Sequence, residues 1–225
     1  MSTWTLLPSP SRPLEGAPAE TGARAWRGKR LFDVVVTLLL LVLFAPLLLL
    51  VTLAVRLTSP GPILFRQKRV GFGGTDFEIL KFRTMYVDAE ELLHADPQLL
   101  ELYLAGNHKI AHKLDPRITP LGRLLRLLSL DELPQLWNVL RGDMSLIGPR
   151  PVTPEQVGEY EHLPHAYYAI RPGLTGLWQV SGRSRMGFPE RAELDAFYYE
   201  RCSPLLDVVI LVRTVWAVLA CRGAS

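Results

Sequence analysis

The hydrophobic positions of this chain are concentrated in one block near its N-terminus. Residues 34–55 are about 22 residues without a charge, and only two threonines and Pro46 interrupt the apolar run. A helix of this length is about 33 Å long, which is enough to cross the hydrocarbon core of a bilayer. The pattern therefore predicts a membrane-associated helix, and a single spanning anchor is its simplest form.

Two features favour a bent segment over a spanning one. Pro46 lies at the middle of the block, where it removes a helical hydrogen bond and kinks the helix. Basic residues flank both ends, and the positive-inside tendency keeps such clusters on the cytoplasmic side. We therefore expect residues 27–58 to form a re-entrant membrane helix, with the spanning helix as the open alternative. The basic residues are Arg24, Arg27, Lys29 and Arg30 before the block, and Arg56, Arg66, Lys68 and Arg69 after it.

The rest of the chain divides into a tail and one domain. Residues 1–26 are rich in Pro, Ser, Ala and Gly without apolar periodicity, which predicts a disordered tail. Residues 59–225 predict a compact α/β domain, with amphipathic helices at the membrane interface. The expected strands are 63–69 and 77–82 around a glycine turn, and the expected helices are 88–104 (broken by Pro97), 121–130, 133–140, 189–201 and 205–220.

Net charge and residue composition indicate which classes of ligand this protein can bind. A net charge of +3 and a pI near 9.0 suit anionic ligands such as lipid head groups and nucleotides. No nucleic-acid-binding signature is present, so nucleic acid is not an expected partner. Cys202 and Cys221 lack metal-ligand spacing and predict free thiols. The five histidines form no HExxH motif, so a histidine-bound zinc is not expected.

Residues 129–134 contain the densest group of candidate catalytic side chains, with Asp131 and Glu132 adjacent in a leucine-rich segment. A carboxylate can attack phosphorus, and its neighbour can transfer a proton or help to hold a divalent metal. Taken alone, however, these six residues favour an ordinary helix start over catalysis. Either Ser129 and Glu132 form a capping box, or Asp131 is an N-cap with Pro134 in the first turn.

Several lysine and arginine side chains lie on segments whose backbone is conformationally restricted. Lys81 and Arg83 lie on one face of a predicted strand by its period of two. Arg150 stands between two prolines, where its guanidinium can clamp phosphate oxygens, although a salt bridge to a carboxylate is an open alternative. The glycine-rich segment 171–183 ends in Arg183. Together these residues indicate a polyanionic substrate.

In this order the motifs resemble those of the bacterial sugar transferase family, the monotopic phosphoglycosyl transferases. The resemblance covers the chain from about residue 27 to its end. The residues that carry it are Lys29-Arg30-x-x-Asp33, the block around Pro46, Lys81-Phe82-Arg83-Thr84-Met85, Asp115-Pro116-Arg117-x-Thr119 and the segments 129–134, 142–151 and 172–183.

The resemblance implies an activity and roles for residues. Asp131 is the implied nucleophile on the phosphate next to the sugar of a UDP-sugar, releasing UMP, and Glu132 is the partner acid/base. Polyprenyl (undecaprenyl) phosphate then accepts the sugar phosphate from Asp131, as the first step of surface glycan assembly. Magnesium is the implied cofactor, with Asp131 as its ligand. The cations implied to meet phosphates are Lys81, Arg83, Arg126, Arg150 and Arg183.

The same resemblance implies a location and leaves some points open. The domain is expected on the cytoplasmic face of the inner membrane, in contact with membrane lipids, and a homo-oligomer is an open alternative to a monomer. Ala45 replaces a serine that many members have before the proline. The segments 86–114 and 178–183 favour UDP-glucose or UDP-galactose as donor. A membrane-anchored diphosphate hydrolase and a non-catalytic lipid-binding scaffold are the rival functions.

Overall fold

The computed structural model describes residues 25–105, 110–111, 114–157, 164–182 and 187–219. The predicted tail at 1–26 lies outside the described residues except for its last two positions.

Helices predominate, and the strands form two small sheets. The helices are α1 (Lys29–Thr58), α2 (Ala89–Ala95), α3 (Pro97–Ala105), α4 (Pro120–Leu127), α5 (Gln135–Arg141), α6 (Pro154–Val157), α7 (Pro164–Tyr168), α8 (Leu177–Ser181), α9 (Phe188–Arg201) and α10 (Pro204–Leu219). The strands are β1 (Leu64–Val70), β2 (Asp76–Phe82), β3 (Ser145–Ile147) and β4 (Gly173–Thr175), and short 3-10 turns lie at Phe72–Gly74 and Leu130–Glu132.

The predicted hairpin is confirmed. β1 and β2 pair antiparallel along their full length, with Leu64 opposite Phe82 and Val70 opposite Asp76. The predicted break of the helical segment at Pro97 is also confirmed, because α2 ends at Ala95 and α3 begins at Pro97. Asp96 caps α3 by accepting hydrogen bonds from the backbone N–H groups of Gln98 and Leu99.

A parallel pair of short strands, β3 and β4, lies in the central core. The sequence predicts tight loops in both regions, and the strands within them were not expected. The pair forms because the backbones approach closely at Gly148, whose missing Cβ would lie 2.3 Å from the carbonyl oxygen of Arg171. The buried members of this core are Ile79, Leu136, Val139, Met144, Leu146, Ile147, Ile170, Leu177, Tyr198 and Ile210.

The apolar block forms one long helix, α1, with Pro46 inside it. It is long and apolar enough to cross a membrane, and only 11% of its most apolar stretch of 18 residues is buried within the domain. Its N-terminal half packs on the central core through Phe32, Val36 and Leu40. Its C-terminal half contributes Val51 and Val55 to a second cluster with Phe82 and Leu125. Both halves of α1 therefore contact the same domain.

The beginning of α1 is held by a buried charge cluster, which we call the anchor cluster: Lys29, Asp33, Ser145, Tyr198 and Asp207. Lys29 Nζ lies 2.7 Å from Asp33 Oδ1 and 3.1 Å from Asp207 Oδ2. Tyr198 donates to Asp207 at 2.7 Å, and Ser145 donates to Asp33 at 2.8 Å. The two carboxylates thus share the Lys29 ammonium, and each also accepts a hydrogen bond from one hydroxyl group. The cluster ties α1 to β3, α9 and α10.

These contacts change the interpretation of the basic flank before α1. Lys29 is buried in the anchor cluster, and Arg30 donates to the carbonyl oxygens of Val139 and Leu140 at 2.6 and 2.8 Å. Those carbonyls lie in the last turn of α5, where a cation is favourable. Two of the basic residues that were counted toward a cytoplasmic flank therefore serve the packing of the domain.

Candidate active site

The two adjacent carboxylates lie on the 3-10 turn Leu130–Glu132, and the helix-cap interpretation of this segment is wrong. Ser129 has a left-handed backbone (φ 56, ψ 22) and makes no capping hydrogen bond. The residue before α5 is Pro134, which also offers no side-chain cap. A serine in the left-handed region stores about 1–2 kcal/mol of strain. The segment therefore holds its carboxylates for a purpose other than starting a helix.

Glu132 is the acceptor of two cations. Its Oε1 lies 2.7 Å from Lys81 Nζ and 3.0 Å from Arg150 Nη2. Burial by itself raises the pKa of this carboxyl, but the two ion pairs outweigh burial and hold the pKa well below its ordinary value. Glu132 is therefore ionised at neutral pH, and it fixes both cations beside Asp131.

Asp131 is buried, at 8% exposed, and lacks such partners. Among the described residues no side chain or backbone group donates a hydrogen bond to its carboxylate. The pKa of Asp131 is raised to about 6, mainly because the carboxyl is buried and also because the negative charge of Glu132 is close. Lys81, Arg126 and Arg150 oppose this increase. A desolvated carboxylate surrounded by cations has the properties of a nucleophile that needs no hydrogen bonds broken before it attacks.

Arg126 reaches this cluster from α4. Its Nε donates to Thr84 Oγ1 at 2.9 Å, just past the end of β2. The close approach of α4 depends on Gly122, because a Cβ there would lie 2.1 Å from the carbonyl oxygen of Thr84. Burial lowers the pKa of Arg126, and the charge of Asp131 opposes that decrease. We call Lys81, Arg126, Asp131, Glu132 and Arg150 the carboxylate site.

The loop that carries Arg150 is stiff, as the prolines predict. Gly148 N donates to Thr175 O at 3.0 Å, and Gly173 N donates to Pro149 O at 2.7 Å. The Arg150 side chain is 40% exposed. The alternative in which Arg150 meets a carboxylate is therefore confirmed, although the carboxylate is Glu132 of the site and part of the guanidinium still faces solvent.

The structure does not bring Arg83 to the carboxylate site. β2 ends at Phe82, so the strand period that would align Arg83 with Lys81 stops short. Arg83 Nη2 donates instead to the carbonyl and hydroxyl oxygens of Ser59, both at 2.8 Å, at the end of α1. Arg183 lies outside the described residues.

Two residues that the sequence analysis did not single out position the site. Thr84 holds Arg126, as described above. Asn138 joins α5 to β2, accepting from Leu80 N at 3.0 Å and donating to Glu78 O at 2.7 Å. The sequence signal for Asn138 was an amide among apolar residues of a predicted helix, and the structure shows that this amide is fully buried.

The described residues contain no group of three or more His, Cys, Asp or Glu side chains placed to hold a metal ion. A magnesium site built from protein ligands alone is therefore not found in this part of the chain. Asp131 as a magnesium ligand stays a prediction.

Comparison with known proteins connects this geometry to a family. The family model described as bacterial sugar transferase matches residues 24–221. The exopolysaccharide production protein ExoY of Sinorhizobium fredii is 41% identical over 216 residues, which cover 92% of this chain and 93% of that protein.

Two further relatives have names that state a reaction. The UDP-glucose:undecaprenyl-phosphate glucose-1-phosphate transferase of Caulobacter vibrioides is 46% identical over 206 residues, covering 87% of this chain and 71% of that protein. The undecaprenyl-phosphate galactose phosphotransferase of Salmonella typhimurium is 39% identical over 199 residues, covering 87% of this chain and 41% of that protein. With a family model that matches nearly the whole chain and relatives of this similarity, the chain belongs to the bacterial sugar transferase family.

Proposed function

We propose that this protein transfers a hexose-1-phosphate from a UDP-sugar to undecaprenyl phosphate and releases UMP, as the first step of surface glycan assembly. The Caulobacter vibrioides and Salmonella typhimurium relatives are named as transferases that use undecaprenyl phosphate with glucose and galactose, respectively. The observation that carries the proposal is the Asp131 carboxylate. It is buried, receives no hydrogen bond from the described residues, and lies beside a Glu132 that holds two cations.

The transfer proceeds in two steps on Asp131. First, a carboxylate oxygen attacks the phosphorus next to the sugar, and the bond from that phosphorus to the oxygen of UMP breaks, with the electron pair leaving on UMP. A sugar-phosphoryl aspartate remains. Second, a phosphate oxygen of the polyprenyl acceptor attacks the same phosphorus. The bond to Asp131 breaks, its electron pair returns to the carboxylate, and a polyprenyl diphosphate sugar is the product.

The cations of the site hold the charge that moves in these steps. Lys81 and Arg150 are already placed by Glu132, so little conformational freedom is lost when a diphosphate binds. Arg150 is part exposed and can bind a phosphate oxygen while it keeps its contact with Glu132. Arg126 and Arg183 are proposed as further phosphate contacts, and Arg83 joins them only if its contact with Ser59 is released.

Magnesium is the proposed cofactor. This ion binds oxygen ligands, and it typically uses one or two carboxylates together with substrate phosphates and water. Asp131 fits this role better than Glu132, because its oxygens are free of hydrogen bonds from described residues whereas Glu132 is engaged by Lys81 and Arg150. Bound magnesium would neutralise charge on the diphosphate.

We further propose that α1 is re-entrant and that the domain lies on the cytoplasmic face of the inner membrane. Support comes from the packing of both halves of α1 on one domain, since a spanning helix would carry one end to the opposite side. Such a location brings the isoprenoid acceptor and the soluble nucleotide sugar to one site.

The topology can be tested by cysteine labelling in a variant without Cys202 and Cys221. Single cysteines at Arg27 and Thr58, both exposed at the ends of α1, should react with a membrane-impermeant reagent only from the cytoplasmic side. Labelling of either position from outside would establish a spanning helix.

The activity can be tested with UDP-glucose and UDP-galactose in the presence of magnesium. We expect UMP release that continues only when polyprenyl phosphate is added, and about one equivalent without it. Repeated turnover on UDP-sugar alone would indicate the hydrolase. A protein that releases no UMP with any UDP-sugar, and whose biological activity survives Asp131→Asn, would be the lipid-binding scaffold.

A further inference from the structure

A buried amide about one helical turn after the two carboxylates lacks a hydrogen-bond partner among the described residues. Gln135 is 2% exposed, and its Nε2 group is fully buried without an acceptor in the part of the chain that the structure describes. Most buried polar groups in native proteins are paired, so each exception requires an explanation. Leaving such a donor unsatisfied costs about 1–3 kcal/mol. An apolar side chain of the same length would therefore fold at least as well.

The position of Gln135 along the chain places it near Asp131. The 3-10 turn Leu130–Glu132 continues through Leu133 and Pro134, both with helical torsions, directly into α5. Gln135 is three residues after Glu132 and four after Asp131. Side chains at these two spacings lie on the same face of a helix, with Cβ atoms about 5–6 Å apart.

The two neighbouring carboxylates differ in what they still can accept. Glu132 Oε1 already receives charged hydrogen bonds from Lys81 and Arg150. Asp131 receives none from the described residues, although it is buried. An unpaired donor and an unpaired acceptor thus lie on the same face of one helical segment.

We propose that Gln135 is a positioning residue that donates its Nε2 hydrogen bond to the Asp131 carboxyl during the reaction. This inference rests on the proposed function. In the first step the amide holds the oxygen that does not attack, so the other oxygen points at the phosphorus. In the second step the phosphorus–oxygen bond to Asp131 breaks and negative charge returns to the carboxyl. A donor directed at that charge stabilises the departing carboxylate.

Asn138 offers a matched control, because it is a second buried amide one turn further along α5. Its side chain is saturated: it accepts from Leu80 N and donates to Glu78 O and to Asp143 Oδ2. Asn138→Leu removes all three bonds, whereas Gln135→Met removes no side-chain hydrogen bond that forms among the described residues. The two substitutions therefore separate a structural amide from one that acts in the reaction.

The test follows the phosphosugar adduct on the full chain by intact-protein mass spectrometry after rapid quenching. UDP-sugar and magnesium form the adduct, and polyprenyl phosphate is then added to discharge it. For Gln135→Met we expect an unfolding midpoint equal to or above that of the wild type, and discharge at least about tenfold slower. For Asn138→Leu we expect a lower midpoint, because this substitution removes three hydrogen bonds that form in the folded protein.

Three outcomes for Gln135→Met would overturn the inference. They are discharge at the wild-type rate, a fall in the unfolding midpoint as large as that of Asn138→Leu, and slowing confined to adduct formation. The last would assign the amide to the incoming UDP-sugar. Failure of the wild type itself to form an adduct would instead contradict the proposed function, so the two failures are distinguishable.

Discussion

The anchor cluster and the carboxylate site are both built from buried acids and bases, but their hydrogen bonding differs. Asp33 and Asp207 each contact Lys29, and each also accepts a hydrogen bond from a hydroxyl group. Asp131 is also buried, at 8% exposed against 2% for Asp33 and 0% for Asp207, but it accepts no hydrogen bond from the described residues. A buried charge with all its partners holds elements together, whereas one left without them is destabilising unless a ligand uses it. The comparison separates a structural cluster from a reactive one.

The largest expected effect is on activity. Asp131→Asn keeps the size of the side chain but removes the attacking carboxylate, so transfer should fall by about 10³-fold or more. No adduct should form from UDP-sugar and magnesium. Steady-state UMP release and intact-protein mass spectrometry measure the two quantities.

The same variant should fold normally, because the carboxylate it replaces makes no hydrogen bond with the described residues. Near-normal transfer by a well-folded Asp131→Asn protein would contradict the role of Asp131 as nucleophile. Full activity without any detectable adduct in the wild type would instead indicate direct transfer, with Asp131 as a metal ligand only.

Asp207→Asn should have the opposite profile. The substitution leaves buried Lys29 with one carboxylate in place of two and removes the charged acceptor of the Tyr198 hydroxyl. Losing a hydrogen bond to a charged group costs about 1.5–3 kcal/mol. We expect a large fall in the unfolding midpoint and near-normal transfer per folded molecule. A stable Asp207→Asn protein that has lost activity would remove the distinction between the two clusters.

Arg150→Lys tests whether the guanidinium geometry matters in the carboxylate site. Lysine keeps the charge but loses the planar pair of donors that can contact Glu132 and a phosphate together, so transfer should fall about tenfold or more. Stability should change little. Arg66→Lys is the control, because Arg66 forms an exposed pair with Glu78 and should be neutral. Equal activity of the two variants would mean that Arg150 does not need its planar guanidinium to contact Glu132 and a phosphate together.

The smallest expected effect is a pH-dependent difference in stability between the wild type and Asp131→Asn. The pKa of Asp131 is raised from 3.8 to about 6 in the folded protein, so folding is favoured while the carboxyl is protonated. That advantage is complete below about pH 4 and is lost as the pH rises through about 6. Above pH 6 the wild type carries a constant penalty of at most about 3 kcal/mol.

Asparagine has no such titration, so Asp131→Asn should gain stability relative to the wild type between about pH 4 and 6, and no more at higher pH. Thermal unfolding in detergent micelles without magnesium measures the difference. A constant difference from pH 4 to pH 8 would show that Asp131 is not a desolvated carboxylate.

Local patterns in the sequence were sufficient for most elements of the fold. The hairpin, the break at Pro97, the apolar helix and the last two helices follow from periodicity and from proline and glycine. They depend on interactions between residues a few positions apart. The chemical candidates Asp131, Glu132, Lys81 and Arg150 were likewise recognisable from residue type and order.

What each charged residue does was decided by tertiary structure, because the relevant contacts join distant parts of the chain. Lys81 meets Glu132 across 51 positions and Asn138 meets Leu80 across 58. No local pattern reveals that Lys29 and Arg30 serve packing, that Arg83 contacts Ser59, or that Ser129 caps nothing. Composition determined that this chain has buried acids and bases. Only packing decided which carboxylates received hydrogen-bond partners and which one accepts none from the described residues.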